Sequence, residues 1–402
     1  MRDYLRRLRS QQGWLEPTMV STAVLTLTGL AFFRVALLPE FGRELSMSTF
    51  ELGIVTTVFA AGRLLADLPG GALADRVSAG RLIALAAAGV AVGSTLLAIS
   101  TVPLPLYLAS LLLGVCSSTT NATGMTYFSS VGGTRDRGTS MALFSAALLG
   151  GQAVGPAVAG LIASQAGWRA AMFTAAAIAA LVAVVLGTRV GKRADEARPQ
   201  LPPQPAVESS VMRFGPILLL RSVAFVVFLT LGSVPQTLIP VIGADELGLG
   251  SGAIGLALGV GGISRFVGTL IGGRLSDHIS RKTALIPGMI VQGIGVALLA
   301  FRPTVLLWVA AIVVMSLASF GVSVAATMVG DLADPQRVGT QLGRFRFAGD
   351  LGLISGPLVV SALYESVGRE AAFLFVGGLL TIVGLLSWRF LPETARRFGS
   401  GG

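Results

Sequence analysis

Long apolar blocks alternate with short polar breaks along the chain. Twelve of the blocks have the length of a bilayer-crossing helix, which takes roughly 20 residues at about 1.5 Å each. They fall near 18–39, 50–72, 82–101, 104–128, 139–163, 168–188, 215–241, 252–273, 283–301, 304–328, 341–364 and 370–390. The breaks hold glycine, proline or charge, the residues that interrupt helices and return to water. This pattern predicts an all-α membrane protein of twelve transmembrane helices.

Composition agrees. Of 402 residues, 53% are hydrophobic and 12% charged, and the mean hydropathy is +0.78. A soluble domain carries about 25% charged residues, so this chain lacks the polar surface to face water on every side. Its 52 glycines suit helices that pack closely in lipid. The single cysteine, Cys116, allows no disulfide framework, and the single histidine, His278, builds no histidine metal site. No cofactor or metal is expected.

The net charge of +10 acquires meaning from its placement. With the N-terminus in the cytoplasm, 22 of the 30 Lys and Arg residues fall in inside segments. Five fall at outside ends (Arg34, Arg43, Arg169, Arg302 and Arg369), and Arg63, Arg221 and Arg265 lie within helices. That bias places both termini in the cytoplasm of a multi-pass protein in the inner (plasma) membrane. The basic residues do not cluster on a soluble domain, so nucleic acid is not an expected partner. The expected partners are the lipid bilayer and a small-molecule substrate that the sequence does not name, with the protein a monomer.

The chain divides into a basic N-terminal segment (1–17), a six-helix bundle (18–188), a linker (189–213), a second six-helix bundle (214–390) and a tail (391–402). The linker is rich in proline and charge and has no apolar period. The bundles are repeats. Residues 45–75 align with 247–277 without a gap, and nine of 31 positions are identical, among them Arg63/Arg265, Gly71/Gly273 and Asp75/Asp277. Further on, Gly151, Gly155 and Pro156 match Gly352, Gly356 and Pro357. Apolar composition supplies chance Leu and Val matches but not Arg and Asp in register. Two six-helix units in the same orientation form a parallel, pseudo-twofold repeat, of the kind that rocks about a central site.

The break after the second span reads Gly71-Ala-Leu-Ala-Asp75-Arg76-Val-Ser-Ala-Gly-Arg81, and that after the eighth reads Gly273-Arg-Leu-Ser-Asp277-His-Ile-Ser-Arg281-Lys282. With six plus six helices and a cytoplasmic linker, these two copies resemble the signature loop of the major facilitator superfamily, in its drug-exporter-like subgroup. Ser78 stands where the family has a second glycine, and the basic run is thinned to Arg81. The resemblance implies gating by Gly71, Asp75, Arg76, Arg81, Gly273, Asp277, Arg281 and Lys282. Asp75 would face the start of helix 11 near Gly339, Thr340 and Arg344, and Asp277 the start of helix 5 near Gly138 and Thr139. The alternative is that each aspartate only terminates its helix. In helix 5, Gly151, Gly155 and Pro156 are similar to the antiporter-type motif of drug and proton exchangers, repeated by Gly352, Gly356 and Pro357; ordinary close packing is the other reading. Helix 4 lacks the embedded arginine of the drug-exchanger pattern.

Ionisable groups at bilayer depth are costly and point to function by default. Arg63 and Asp67 share one face of the second span, about 18 and 12 Å in from Asp75. Arg265 repeats the arginine, and Arg344, Arg346 and Asp350 lie in the eleventh span. A network of Arg63, Asp67, Arg346 and Asp350 is expected, with Asp67 to Arg346 as its pair across the halves. Three roles stay open: a structural clamp, a carboxylate carrying a coupling proton, or Arg63 and Arg265 as a cation pair for an anionic substrate. Asn121 and Gln236 are cavity candidates, because a buried amide is costly to leave unpaired. No catalytic motif and no phosphate-binding loop is present, so no enzyme is expected. The expected function is secondary transport of a small solute by alternating access, with proton-coupled efflux as one form and organic-anion exchange through Arg63 and Arg265 as another. A non-transporting membrane sensor of the same fold is the rival from a different class.

Overall fold

A computed structural model describes residues 15–74, 77–131, 133–189, 214–301, 304–333 and 338–394. The described residues contain helices and no strand. In order they are α1 (Leu15–Leu45), α2 (Thr49–Ala74), α3 (Ala79–Ile99), α4 (Pro103–Val131), α5 (Gly133–Ala166) and α6 (Trp168–Arg189). There follow α7a (Phe214–Ser233), a π-helical turn (Val234–Leu238) and α7b (Ile239–Asp245). The rest are α8 (Ser251–His278), α9 (Arg281–Ala297), α10a (Val305–Leu317), α10b (Gly321–Leu332), α11 (Val338–Ser366) and α12 (Arg369–Phe390). Among the described residues eleven helices are long and apolar enough to cross a membrane. The expected tenth span is instead two short helices, broken where Phe320 sets its ring against Gly272 of α8 and Gly288 of α9. Leu85, Leu181, Ile263 and Leu306 stand uncovered on helix surfaces; water penalises such exposure and lipid does not. The fold is that of an all-α, multi-pass membrane protein.

Internal contacts divide the chain into two compact units. The first is Met1–Ser48, Val58–Pro202 and Gly248–Gly262, and the second is Thr49–Thr57, Pro203–Leu247 and Ile263–Gly402. Each half of the sequence thus lends the first part of one helix to the unit of the other. In the second unit, the N–H of Phe50 on α2 donates to Glu365 of α11 at 2.8 Å, and the Thr57 hydroxyl donates to the Ile354 carbonyl at 2.9 Å. In the first unit, α8 lies so near α5 that a Cβ at Gly255 would sit 2.3 Å from the Pro156 carbonyl oxygen. The expected segments 1–17, 189–213 and 391–402 lie largely outside the described residues.

The units repeat one internal plan. In the first, α1 packs along α5 and α3 along α6; in the second, α7a packs along α11 and α9 along α12. The motif glycines make the first of these pairings close. A Cβ would stand 2.3 Å from the Leu25 oxygen at Gly151 and 2.3 Å from the Gly29 oxygen at Gly155. At Gly352 and Gly356 it would stand 2.1 Å from the Phe225 oxygen and 2.4 Å from the Leu229 oxygen. Those contacts leave no room for a side chain, so backbone meets backbone as small residues permit in lipid. Pro156 and Pro357 sit inside α5 and α11.

The helix α1 is longer than the apolar block that predicts it. It continues to Leu45, so Arg34 lies eleven residues inside its end and is 1% exposed. The expectation that Arg34 is an outside-end residue is therefore corrected. The apolar block stops at Pro39, but proline late in a helix ends nothing when the next residues keep helical geometry, and Pro39 lies inside α1. In α7 two prolines have more effect. Pro235 and Pro240 remove backbone donors, and the ladder slips by one residue, with the N–H of Ile239 bonding the Val234 carbonyl.

Candidate functional site

The charged centre of the first unit is built by three helices. Gly114 lets α4 approach α2 until a Cβ there would lie 2.1 Å from the Phe59 oxygen and 3.1 Å from the Arg63 nitrogen. Phe59, Arg63 and Asp67 are four apart on α2 and so share a face. One turn on from Gly114, the Ser118 hydroxyl donates to the Asp67 carboxylate. From α1, the guanidinium carbon of Arg34 lies 3.9 Å from the centroid of the Phe59 ring. The Phe32 ring meets the same ring edge-on, with centroids 6.4 Å apart.

Two cations therefore occupy one apolar bundle. Arg34 and Arg63 are near enough to repel each other. Arg63 is half-buried, and its Nε is buried with no hydrogen-bond partner among the described residues. Among those residues Arg63 and Asp67 form no ion pair with each other; the aspartate takes Ser118 instead. A guanidinium stacked on an aromatic face gains attraction from the ring quadrupole. That attraction holds Arg34 against the Phe59 ring.

Sequence reasoning missed Arg34, although a signal existed. Arg34 stands ten residues before Glu44, as Gln236 stands ten before Glu246. Gln236 draws attention as a buried amide; the matching position in the first repeat holds an arginine. Gln236 lies in the π-helical turn and is 5% exposed. Beside it in that turn, the Thr237 hydroxyl bonds the Gly232 carbonyl at 3.0 Å and lies 3.1 Å from the Thr56 hydroxyl. Single π turns recur at functional sites.

The remaining expected residues are placed as follows. Arg265 and Asp350 are half-buried in the second unit, while Arg344 and Arg346 are exposed. Arg344 lies close enough to Arg221 to act on it electrostatically, and Arg221 donates to Gln341 at 2.5 Å. Asn121 is half-buried on α4, one turn beyond Ser118. Its neighbours Thr119 and Thr120 turn back to their own helix, bonding the Val115 and Cys116 carbonyls at 2.9 Å each.

The second loop copy forms a local cluster in the second unit. Asp277 is exposed and accepts from Arg281 at 2.7 Å, and Arg281 reaches Ser276 at 3.0 Å and Asp331 at 3.3 Å. Glu393, just past α12, caps the start of α9 by accepting from the N–H groups of Arg281 at 3.0 Å and Lys282 at 3.2 Å. Gly273 has open space around its α-carbon. Asp75 and Arg76 lie outside the described residues, as do the side-chain positions at Gly71 and Gly138, so the expected contacts of the two aspartates at helix starts fall there too. Arg81 is exposed at the start of α3.

A sequence profile described as the Major Facilitator Superfamily matches residues 19–250 and 222–401. The class C tetracycline resistance protein of Escherichia coli is 25% identical over 357 residues, covering 87% of this chain and 89% of that protein. The class G tetracycline resistance protein of Vibrio anguillarum is 26% identical over 348 residues, covering 82% and 84%. In fold, the chain is similar to a bacterial homolog of the human lysosomal transporter Spinster in an inward-facing, occupied conformation. The TM-score is 0.71 at 16% identity, over 94% of this chain and 93% of that one.

Proposed function

The chain belongs to the Major Facilitator Superfamily, a family of transporters, and we propose that it moves a small solute by alternating access with a proton carried on Asp67. One observation carries the proton. Asp67 is a half-buried carboxylate in a membrane-crossing helix, and among the described residues it is held by the Ser118 hydroxyl and forms no ion pair. A carboxylate neutralised by arginine stays ionised; a hydroxyl can donate to the ionised carboxylate and accept from the protonated acid, so it serves either state. Intramembrane carboxylates of that kind form proton relays in pumps and transporters. The parallel repeat supports alternating access, because matching units rock about a site between matching helices. The charge bias supports an inner-membrane protein with both termini in the cytoplasm.

Direction is a second reading. Likeness to two tetracycline resistance proteins over more than four fifths of the chain favours export. The experiment uses purified protein in liposomes with a pH-sensitive dye inside. Tetracycline and 2-naphthalenesulfonate serve as first probes. Movement of either probe should move protons in the wild type and not in Asp67→Asn. Solute flux with no proton movement, or proton movement unchanged by the substitution, sinks the proposal.

A further inference from the structure

We propose that Arg63 is a binding residue for the oxyanion of a small organic anion, and that Arg34, stacked on Phe59 one turn away, holds the positive potential that attracts it. The inference rests on the transporter reading and names the substrate class for its first-unit site.

A buried cation in an apolar bundle needs a carboxylate or another acceptor to offset its lost hydration. Arg63 has neither among the described residues: its Nε is buried without a hydrogen-bond partner, and no ion pair reaches it. Its electrostatic neighbour is a second guanidinium, which raises the local positive potential. The carboxylate best placed to neutralise it, Asp67, is four residues along the same helix and is engaged by Ser118. Arg63 is half-buried where Arg34 is 1% exposed, so Arg63 offers its donors to a ligand while Arg34 acts from behind Phe59.

The shape of the donor selects the ligand. A guanidinium presents a planar fork of N–H groups that matches a carboxylate, sulfonate or phosphonate with two parallel hydrogen bonds. An ammonium-bearing solute meets repulsion from both arginines. An anion at this depth supplies the missing negative charge and offsets the mutual repulsion of the pair, which is the stabilisation a loaded state needs.

The test uses full-length purified protein in lipid nanodiscs. The probes are 2-naphthalenesulfonate, a permanent anion, and its matched permanent cation, 2-naphthylmethyltrimethylammonium. The wild type should bind the anion at least tenfold more tightly than the cation. Arg63→Gln should lose about tenfold or more for the anion, and Arg63→Lys should keep part of it. Asp67→Asn removes the opposing negative charge about 6 Å along the helix and should tighten anion binding several-fold. Equal binding of both probes by the wild type overturns the inference, as does anion binding unchanged in a monodisperse Arg63→Gln protein. Where Arg63→Gln does not fold, Asp67→Asn decides alone, and weaker anion binding there overturns it. Anion binding without flux in liposomes leaves the site standing and removes the transport reading; flux blind to probe charge does the reverse.

Discussion

Arg369 repeats in the second unit the bonds that Arg169 makes in the first. Each lies in the first turn of a helix that follows a glycine of positive φ: Arg369 opens α12 after Gly368 at 113°, and Arg169 is the second residue of α6, after Gly167 at 85° and Trp168. Each donates to a glutamate at the end of the first helix of its unit, Arg169 to Glu44 and Arg369 to Glu246. Each also donates Nε–H to a carbonyl that ends a helical segment, Ala98 at 3.1 Å and Ala300 at 3.3 Å. One guanidinium thereby ties three helix ends.

Arg169→Ala and Arg369→Ala should each lower stability by about 1–2 kcal/mol, read as a fall in detergent thermal unfolding temperature. The ion pairs are partly exposed and contribute ~1 kcal/mol at most; the rest is the helix-end carbonyl left unsatisfied. Arg→Lys at either site should recover less than half of the loss, because a lysine presents no fork to bridge carboxylate and carbonyl together. Full recovery by lysine would mean that charge alone makes the clasp.

The glycine pairs of α5 and α11 give a prediction with an internal control. Gly155→Ala and Gly356→Ala should each cost about 1–3 kcal/mol, since the new Cβ would press on a backbone oxygen 2.3 or 2.4 Å away and the helices must part. Gly378→Ala on α12, with nothing within 4 Å, should be neutral or slightly stabilising. Thermal unfolding of the three variants side by side checks this. Equal effects at all three would show that helix propensity governs, not packing.

The sequence made the helices legible because lipid imposes a length that composition reveals. The motif glycines of α5 and α11 were legible as a packing face for the same reason. The charged centre was only half legible. Arg63 and Asp67 share a face by spacing alone, but spacing does not say that Asp67 turns to Ser118. Arg34 was misplaced because an arginine near a proline resembles an outside end, and only the continuation of α1 to Leu45 buries it. The break in α10 was illegible. Its cause is the fit of Phe320 against glycines on two other helices, which no local pattern carries.

Glu393 links the end of α12 to the start of α9, and its removal isolates a capping effect. Ser280 already occupies the N-cap and accepts from the Thr283 N–H at 3.1 Å. Glu393 covers the two N–H groups before that of Thr283, those of Arg281 and Lys282, and brings negative charge to the positive helix end. Glu393→Ala should cost about 0.5–2 kcal/mol, and Glu393→Gln less, since its amide oxygen keeps one bond. Hydrogen exchange at Arg281 and Lys282 amides should quicken in the alanine variant first. Unchanged exchange there would show that Ser280 suffices.

The charges around Asp67 fix which way proton and solute are coupled when the solute is an anion. Arg63 on the same helix and Arg34 on α1 attract an anion, the Asp67 carboxylate repels it, and Ser118 on α4 adds no charge. A proton on Asp67 removes that repulsion, so proton and anion load together and cross together. In liposomes, an outside more acidic than the inside should drive 2-naphthalenesulfonate inward. Asp67→Asn should bind the probe more tightly yet lose the pH-driven accumulation, because its site is permanently in the neutral form. A cation meets the opposite logic: it favours the ionised Asp67, competes with the proton and leaves as the proton enters. If an acidic interior drives the anionic probe inward, proton and anion are exchanging, and the joint loading argued from Arg63 and Asp67 is wrong.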